Sequence, residues 1–198
     1  MIKPILVDLP ERFETEHLIL QAPKAGYGAA LLDAISDGYE DYVKWLSWTP
    51  TLPTLEAVEE DCRRHYAQFI LREEIRYLMI EKSSQTVVGR CALPSWQAIW
   101  AVPQFGIAYF VRRECRGQGY AKEASHALAL LAFRRLSAKR VEIQVDEQNI
   151  ASIKVPEALN FMLERRQTGW TKEINPDAKL LIYVATSEEQ FPKIECAI

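Results

Sequence analysis

The sequence has little of the material from which metal sites, disulfide frameworks and membrane spans are built. It contains four cysteines and three histidines in 198 residues, and both residue types are scattered. The absence of any Cys-x-x-Cys pair, and of histidines at ligand spacing, predicts free thiols and no bound metal. No stretch approaches the roughly 18 consecutive apolar residues of a membrane span, and the first residues do not begin a secretory signal. We therefore expect a cytoplasmic protein that does not enter a membrane.

Positive and negative charges nearly balance, with a small excess of negative charge. Lysine and arginine number 24 against 27 aspartates and glutamates, so the net charge is -3 and a nucleic-acid partner is not expected. The hydrophobic share of 48% is that of an ordinary globular protein, and the length suits one domain. We predict an N-terminal arm at residues 1–10, a single domain at 11–190 and a C-terminal tail at 191–198.

Hydrophobic periodicity predicts a mixture of strands and helices along this domain. In chain order the predicted elements are a strand at Phe13–Gln21, two short helices between Gly26 and Leu46, a helix at Leu55–Glu74 with Thr54 as its N-cap, a hairpin of Arg76–Glu81 and Thr86–Leu93, a strand at Gln104–Val111, a helix at Lys122–Leu136, a strand at Arg140–Val145, a helix at Ala151–Leu159, and strands at Phe161–Gln167 and Lys179–Thr186. This order predicts a mixed α/β fold.

Two glycines with one residue between them, Gly117 and Gly119, stand where the strand Gln104–Val111 gives way to a helix. Glycine lets the main chain approach an anion closely, and the first N–H groups of a helix are unpaired and lie at its positive end. Four basic residues surround the pair: Arg112, Arg113, Arg116 and Lys122. The junction therefore predicts a phosphate site.

The order Arg116-x-x-Gly119-x-Ala121 resembles the pyrophosphate-binding loop of the GCN5-related N-acetyltransferase (GNAT) family, which holds acetyl-coenzyme A (acetyl-CoA). A Walker-type loop would instead need Lys-Ser/Thr after its last glycine, where Tyr120 and Ala121 stand. The resemblance extends from about residue 10 to about residue 190. It implies the fold of that family, a mixed and mostly antiparallel sheet of about seven strands flanked by helices.

A second pair of motifs extends the resemblance. Asn149-Ile150-Ala151-Ser152 matches the family's Asn-x-x-Ser segment, and Leu159-Asn160-Phe161 matches its Leu-Gly-Phe, with Asn160 in place of the glycine. The resemblance implies that Ser152 is catalytic and donates a proton to the departing sulfur. The residues that it implies for acetyl-CoA binding are Phe110, Val111, Arg113, Arg116, Gly117, Gln118, Gly119, Tyr120, Ala121 and Asn149. Pro156 is expected to kink the helix that carries Ser152.

The general base stays unassigned at this point. The resemblance implies direct transfer of an acetyl group to an amine, whose proton must be taken up. Members that act on ribosomal proteins often carry a glutamate in the stretch that corresponds to Gln104–Tyr109, whereas this chain has no carboxylate there and has Gly106 in its place. Asp146 and Glu147, at the end of the next strand, are candidates, and so is a chain of water molecules.

Several kinds of amine stay open as the acceptor. The strand Phe13–Gln21 resembles the opening strand of the branch that acetylates ribosomal-protein N-termini, with His17 and Gln21 where that branch usually has arginine. We therefore predict a protein or peptide N-terminus as acceptor, with Trp45 and Trp48 as candidates to line its pocket. The alternatives are a small amine, such as a polyamine or an aminoglycoside, and a module that binds acetyl-CoA without turnover. A monomer or a homodimer is expected.

Overall fold

The protein, as a computed structural model, is built around two sheets of six and four strands. The structure describes residues 3–46, 51–94, 103–168, 179–193 and 196–197. The strands are β1 (Arg12–Thr15), β2 (Leu18–Gln21), β3 (Ile75–Glu81), β4 (Val87–Leu93), β5 (Gln104–Gly106), β6 (Ala108–Val111), β7 (Arg140–Asp146), β8 (Met162–Thr168), β9 (Lys179–Ala185) and β10 (Cys196–Ala197). The helices are α1 (Gly28–Ser36), α2 (Tyr39–Trp45), α3 (Leu55–Leu71), α4 (Tyr120–Arg135) and α5 (Ile150–Ala158).

The strand order is β10-β1-β2-β3-β4-β6 in the larger sheet and β5-β7-β9-β8 in the smaller one. Among the described residues, β5 and β7 form the one parallel pair, and the other pairs are antiparallel. The predicted mixed and mostly antiparallel α/β fold is confirmed. The described residues form ten strands rather than about seven, because two predicted strands are each divided and β10 adds a short strand beside β1.

The prediction of one continuous strand at Phe13–Gln21 is wrong, because the segment is a hairpin that turns at His17. The turn is held by the buried carboxylate of Glu123 on α4. That carboxylate accepts hydrogen bonds from the N–H groups of His17 (2.7 Å) and Leu18 (3.2 Å) and from the hydroxyl of Thr15. Burial pushes the pKa of Glu123 upward, but the hydrogen bonds outweigh this and lower the pKa.

We expect Glu123→Gln to lower the free energy of unfolding by about 1–2 kcal/mol, because the three donors that meet at Oε1 of Glu123 would keep only a neutral amide oxygen in place of a charged acceptor. The pKa of Glu123 is lowered from its ordinary value of 4.5, so its contribution is present above pH 4.5 and is lost as the pH falls through the folded-state pKa. The hydrogen bond to Glu123 raises the pKa of the exposed His17 from 6.5. This smaller contribution is present below pH 6.5 and is lost as the pH rises through the folded-state pKa.

Chemical denaturation of both proteins as a function of pH tests this expectation. The difference between them should be largest between pH 4.5 and pH 6.5. Glu16→Gln is the matched control, since Glu16 lies in the same turn with 64% of its side chain exposed. We expect this control to change the free energy of unfolding by less than about 0.5 kcal/mol. Equal losses in the two variants would contradict the assigned role of Glu123.

The predicted strand Gln104–Val111 is also two strands, and its division opens a cleft. The N–H of Ile107 donates to the carbonyl of Glu142 at 2.9 Å and extends the pairing of β5 with β7. From Ala108 onward the chain pairs with β4 instead. One short segment therefore belongs to both sheets, and the edges of β6 and of the later part of β7 diverge from Ile107. We call the space between these two edges the cleft.

Helices pack against both faces of the larger sheet. Leu31 of α1 and Val58 of α3 pack in one cluster with Ile80 and Phe110 of the larger sheet. On the other face, every residue of α4 from 124 to 132 is buried. Alanines at many of these positions let the helix approach the strands closely. Within the described residues no helix is long and apolar enough to cross a membrane.

Two local predictions are confirmed. Thr54 caps α3, because its hydroxyl accepts a hydrogen bond from the N–H of Ala57 at 3.2 Å. Asn160, which follows α5, has a φ of 59°, the left-handed conformation expected of a residue that replaces glycine. α5 itself continues through Pro156 to Ala158.

Residues near both ends of the chain contact the domain. Leu9 is buried, and the carbonyl of Pro10 accepts a hydrogen bond from the hydroxyl of Tyr77 at 2.7 Å. At the other end, Ala197 is the register partner of Glu14 in β1. The N-terminal segment therefore contacts β3, and the C-terminal strand β10 pairs with β1.

Candidate active site

One wall of the cleft is the edge of β6 that faces away from β4. The N–H of Arg112 donates to the carbonyl of Val88 at 2.9 Å, so the backbone groups of Arg112 and, two residues earlier, of Phe110 point towards β4. Those of Tyr109 and Val111 alternate with them and point towards the cleft. The edge thus presents the backbone of Tyr109 and the N–H of Val111, whereas the carbonyl of Val111 accepts a hydrogen bond from the hydroxyl of Tyr42 at 2.8 Å. The backbone of Phe110 belongs to the ladder with β4.

The glycine loop follows β6 directly. Gly117 and Gly119 have φ values of 80° and 87°, a conformation that residues with a side chain rarely adopt. A Cβ atom at either position would meet no atom within 4 Å, so the space above the main chain is open. The first helical bond of α4 runs from the N–H of Glu123 to the carbonyl of Gly119 at 2.9 Å, which leaves the earlier N–H groups without a helical acceptor. This cradle fits the pyrophosphate of a coenzyme.

Arg112, one of the basic residues near the loop, is already neutralised. Its side chain is 10% exposed. The guanidinium lies 3.0 Å from the carboxylate of Asp33, 3.6 Å from that of Asp37 and 2.7 Å from that of Glu114. The expectation that Arg112 adds positive charge to the phosphate site is therefore wrong. It braces the strand end against α1 and the loop.

Arg113 and Arg116 share a single carboxylate, that of Asp41 on α2, at 3.3 Å and 2.8 Å. The hydrogen bond from Arg116 lowers the pKa of Asp41. Arg116 also donates from Nε to the carbonyl of Val111 at 3.2 Å, and its guanidinium lies over the ring of Tyr42, 5.2 Å from the centroid. Two cations against one carboxylate leave net positive charge beside the glycines, as a phosphate site needs.

The remaining loop residues offer mainly their backbone. The side chain of Tyr120 is buried and donates a hydrogen bond to Glu81, which together with burial raises the pKa of Tyr120 to about 12. Gln118 is exposed and Ala121 is half-buried. Burial raises the pKa of the nearby Cys115 thiol, so that thiol is not activated by the surrounding arginines.

α5 brings Ser152 to the side of β6 on which Tyr109 lies. The two hydroxyl oxygens are 2.7 Å apart, and the Tyr109 oxygen is 3.3 Å from the carbonyl oxygen of Ser152. Burial raises the pKa of Tyr109 to about 12. Asn149 caps the helix, since its Oδ1 accepts a hydrogen bond from the backbone N–H of Ser152 at 3.1 Å. The predicted pair of Asn149 and Ser152 thus lies at one helix start, next to a tyrosine that sequence reasoning missed.

The two carboxylates considered as bases are engaged in the turn after β7. Oδ1 of Asp146 accepts a hydrogen bond from the N–H of Gln148 at 2.8 Å. A carboxylate oxygen of Glu147 lies 3.5 Å from Nζ of Lys179. The contact of Asp146 is that of a residue that shapes a turn between a strand and a helix, and the contact of Glu147 is an ion pair with the first residue of β9.

A different carboxylate lies where the sheets part. Glu142 of β7 is the register partner of Gly106 in the parallel pair, and partners in register point to the same face. Its side chain is 4% exposed. The carboxylate accepts hydrogen bonds from Nε2 of Gln144 at 2.7 Å and from Nη2 of Arg140 at 3.1 Å. The polar residues at alternate positions of an otherwise apolar strand were the available sequence signal for this group.

α2 connects the loop to the side of the molecule predicted to receive the acceptor. It carries Asp41 and Tyr42, which contact Arg116. It also carries Trp45, with 39% of its surface exposed. Trp48, the other tryptophan predicted to line an acceptor pocket, lies outside the described residues.

Comparison with known proteins places the chain in a family. The acetyltransferase (GNAT) domain model matches residues 17–162, which is more than half of the chain. No curated protein sequence matches it.

Several solved structures share the fold over nearly their whole length. The ribosomal-protein-S5-alanine acetyltransferase from Vibrio fischeri is 14% identical, with 93% of this chain and 100% of that chain covered and a TM-score of 0.79. RimL, a ribosomal L7/L12 alpha-N-protein acetyltransferase in complex with coenzyme A, is 18% identical, with 90% and 99% covered and a TM-score of 0.79. The microcin C7 self-immunity acetyltransferase MccE, in complex with acetyl-CoA and AMP, is 15% identical, with 87% and 93% covered and a TM-score of 0.76.

The family match and the geometry agree. The matched residues include the divergence of the two sheets, the open glycine loop at the start of α4, and the start of α5 with Asn149 and Ser152. The chain belongs to the GNAT family and is an acetyl-CoA-dependent N-acetyltransferase.

Proposed function

We propose that the chain acetylates the α-amine of a protein or peptide N-terminus. Two of the three structural neighbours described above are named as ribosomal-protein acetyltransferases, and one of these as an alpha-N-protein acetyltransferase. Their likeness covers at least 90% of this chain. This supports an acceptor of the same chemical class.

The residues described above divide the work of such a transfer. Acetyl-CoA supplies an acetyl group that is activated as a thioester. The loop around Gly117 and Gly119, with Arg116, binds the pyrophosphate, and the backbone N–H of Val111 orients the rest of the acetyl-CoA along the cleft. The hydroxyl of Ser152 gives its proton to the thiolate that departs. The proton that the amine loses as the amide forms passes through water to the serine oxygen, so the products are the amide and the free thiol of coenzyme A and the serine hydroxyl is restored.

The choice of an α-amine as acceptor depends on one observation, the hydrogen bonds that Glu142 already accepts. Its carboxylate lies where the sheets part, but its two oxygens already accept hydrogen bonds from Gln144 at 2.7 Å and from Arg140 at 3.1 Å, so it is engaged by the protein and not free to take a proton from the acceptor. An α-amine has a pKa near about 8, against about 10.4 for a lysine side chain, so a useful fraction of it is neutral at cytoplasmic pH. A site whose nearby carboxylate is already engaged is therefore suited to an α-amine and poorly suited to lysine.

We expect the enzyme to acetylate short peptides that begin with serine or alanine and to leave lysine side chains nearly untouched. The rate should rise with pH through the ionisation of the acceptor's own α-amine, near about pH 8. Mass spectrometry of the products and a pH series of kcat/KM test this. The matched control substrate is the same peptide with a blocked N-terminus and one internal lysine.

The same assay separates the alternatives. Robust acetylation of spermidine or an aminoglycoside, with none on any peptide N-terminus, would overturn the proposal and assign the enzyme to small amines. Binding of acetyl-CoA by calorimetry without thiol release in the presence of any amine would instead indicate a sensor module.

A further inference from the structure

Tyr109 stands outside every role given above, although its hydroxyl is next to the proposed proton donor. We propose that Tyr109 is a positioning residue that holds the hydroxyl of Ser152 in the orientation from which its proton is delivered to the departing thiolate. This inference rests on the role proposed for Ser152. In this arrangement Tyr109, on β6, holds the Ser152 hydroxyl, which α5 alone would leave free to rotate.

Pro156 leaves the carbonyl of Ser152 without its usual helical donor. In a regular helix the N–H of residue 156 would donate to the carbonyl of Ser152, four residues earlier, but proline has no N–H. That carbonyl lies 3.3 Å from the Tyr109 oxygen, and the Ser152 hydroxyl oxygen lies 2.7 Å from it. A carbonyl can only accept, so both acceptors offered by Ser152 face the same tyrosine hydroxyl.

The direction of the hydrogen bond follows from acidity. A phenol is a stronger acid than an aliphatic hydroxyl, and the hydroxyl oxygen of Ser152 is the nearer of the two acceptors, at 2.7 Å against 3.3 Å for the carbonyl oxygen. In the proposed arrangement Tyr109 therefore donates to the hydroxyl oxygen of Ser152. The proton of Ser152 is then left for a further acceptor. Because burial raises the pKa of Tyr109 to about 12, the tyrosine stays protonated and able to donate at cytoplasmic pH.

The orientation of the Ser152 hydroxyl affects the chemical step rather than the binding of acetyl-CoA. The ring of Tyr109 is fixed by its place on β6, between residues that pair with β4. When its hydroxyl is removed, Ser152 gains rotational freedom, and only a fraction of its orientations points at the leaving group. The expected loss is therefore in kcat, with little change in the affinity for acetyl-CoA.

The test is Tyr109→Phe, which keeps the ring and removes the hydroxyl. We expect kcat to fall about 10-fold, with the KM for acetyl-CoA changed less than about twofold. Tyr183→Phe is the matched control, because the Tyr183 hydroxyl also bonds α5, at Glu157 (3.1 Å), without touching Ser152. This control should keep wild-type kcat. Wild-type kcat in Tyr109→Phe, or equal losses in the two variants, would overturn the proposal.

A double-variant cycle separates positioning of Ser152 from an independent effect of Tyr109. In the Ser152→Ala background, Tyr109→Phe should change kcat less than about twofold, since the group that it orients is gone. A further 10-fold loss in that background would overturn the proposal while leaving the role of Ser152 intact. Wild-type turnover in Ser152→Ala alone would overturn both, and it would show that the proposed function of Ser152 had failed first.

A second cycle tests whether Tyr109 merely donates a hydrogen bond to the carbonyl of Ser152, which has no helical donor because of Pro156. Pro156→Ala restores a backbone N–H that can bond to that carbonyl. Tyr109→Phe combined with Pro156→Ala should still show the loss of about 10-fold, because the Ser152 hydroxyl remains unheld. Recovery of wild-type kcat in this double variant would reduce Tyr109 to a cap for the carbonyl and would overturn the proposal.

Discussion

Gly119→Val should weaken acetyl-CoA binding by at least about 100-fold. The space above Gly119 is open, and a branched side chain would fill the position that a pyrophosphate needs in order to reach the N–H groups of α4. The φ of 87° adds a second conflict, because a β-branched residue strongly disfavours this conformation. Isothermal titration calorimetry with acetyl-CoA measures the effect, and thermal unfolding shows how much of it is loss of the fold.

Gly26→Val separates binding from backbone strain. Gly26 has a φ of 93°, and a Cβ atom there would also meet nothing within 4 Å. It lies before α1, where its N–H is bonded to the carboxylate of Glu59 at 2.9 Å. This variant should lose a similar amount of stability and keep its affinity for acetyl-CoA. Unchanged affinity in a folded Gly119→Val protein, or an equal loss in both variants, would remove the loop from the binding site.

The loop and the helix caps were predictable because the chemistry that forms them is local. Glycine readily adopts the left-handed backbone conformation found at Gly117 and Gly119. The start of the helix that follows leaves its first N–H groups without a helical partner. Thr54 caps α3 by reaching an N–H only three residues away. For such features the sequence neighbours are the spatial neighbours, so pattern and structure agree.

The divided first strand could not be predicted, because the group that holds its turn is distant in sequence. Thr15 is 108 residues from Glu123, and nothing between Phe13 and Gln21 indicates that a buried carboxylate will receive the N–H groups of a turn. The alternation of that stretch fits one strand as well as a hairpin. The prediction that Arg112 adds charge to the phosphate site was wrong for the same reason, because two of the three carboxylates that neutralise it come from the segment around α1.

The partners of the proposed catalytic groups depend on strand register, which the sequence does not state. Tyr109 reaches Ser152 only because β6 leaves the smaller sheet after Ile107, and Glu142 lies beside Gly106 only because β5 and β7 are parallel. A shift of one residue in either pairing would turn these side chains to the opposite face. The motif could indicate Ser152, but the register was needed to find the residues around it.

Ser152→Ala should lower kcat by about 100-fold or more, with the affinity for acetyl-CoA nearly unchanged, because the serine proton is needed only as the thiolate departs. The helix should survive the change. Asn149 caps α5 through the backbone N–H of Ser152, which alanine retains. Ser36→Ala is the matched control, since the Ser36 hydroxyl bonds within α1, to the carbonyl of Leu32 at 2.8 Å. Steady-state kinetics with a serine-initiated peptide, beside calorimetry with acetyl-CoA, gives both quantities, and wild-type turnover in a folded Ser152→Ala protein would leave Ser152 as part of a helix start and nothing more.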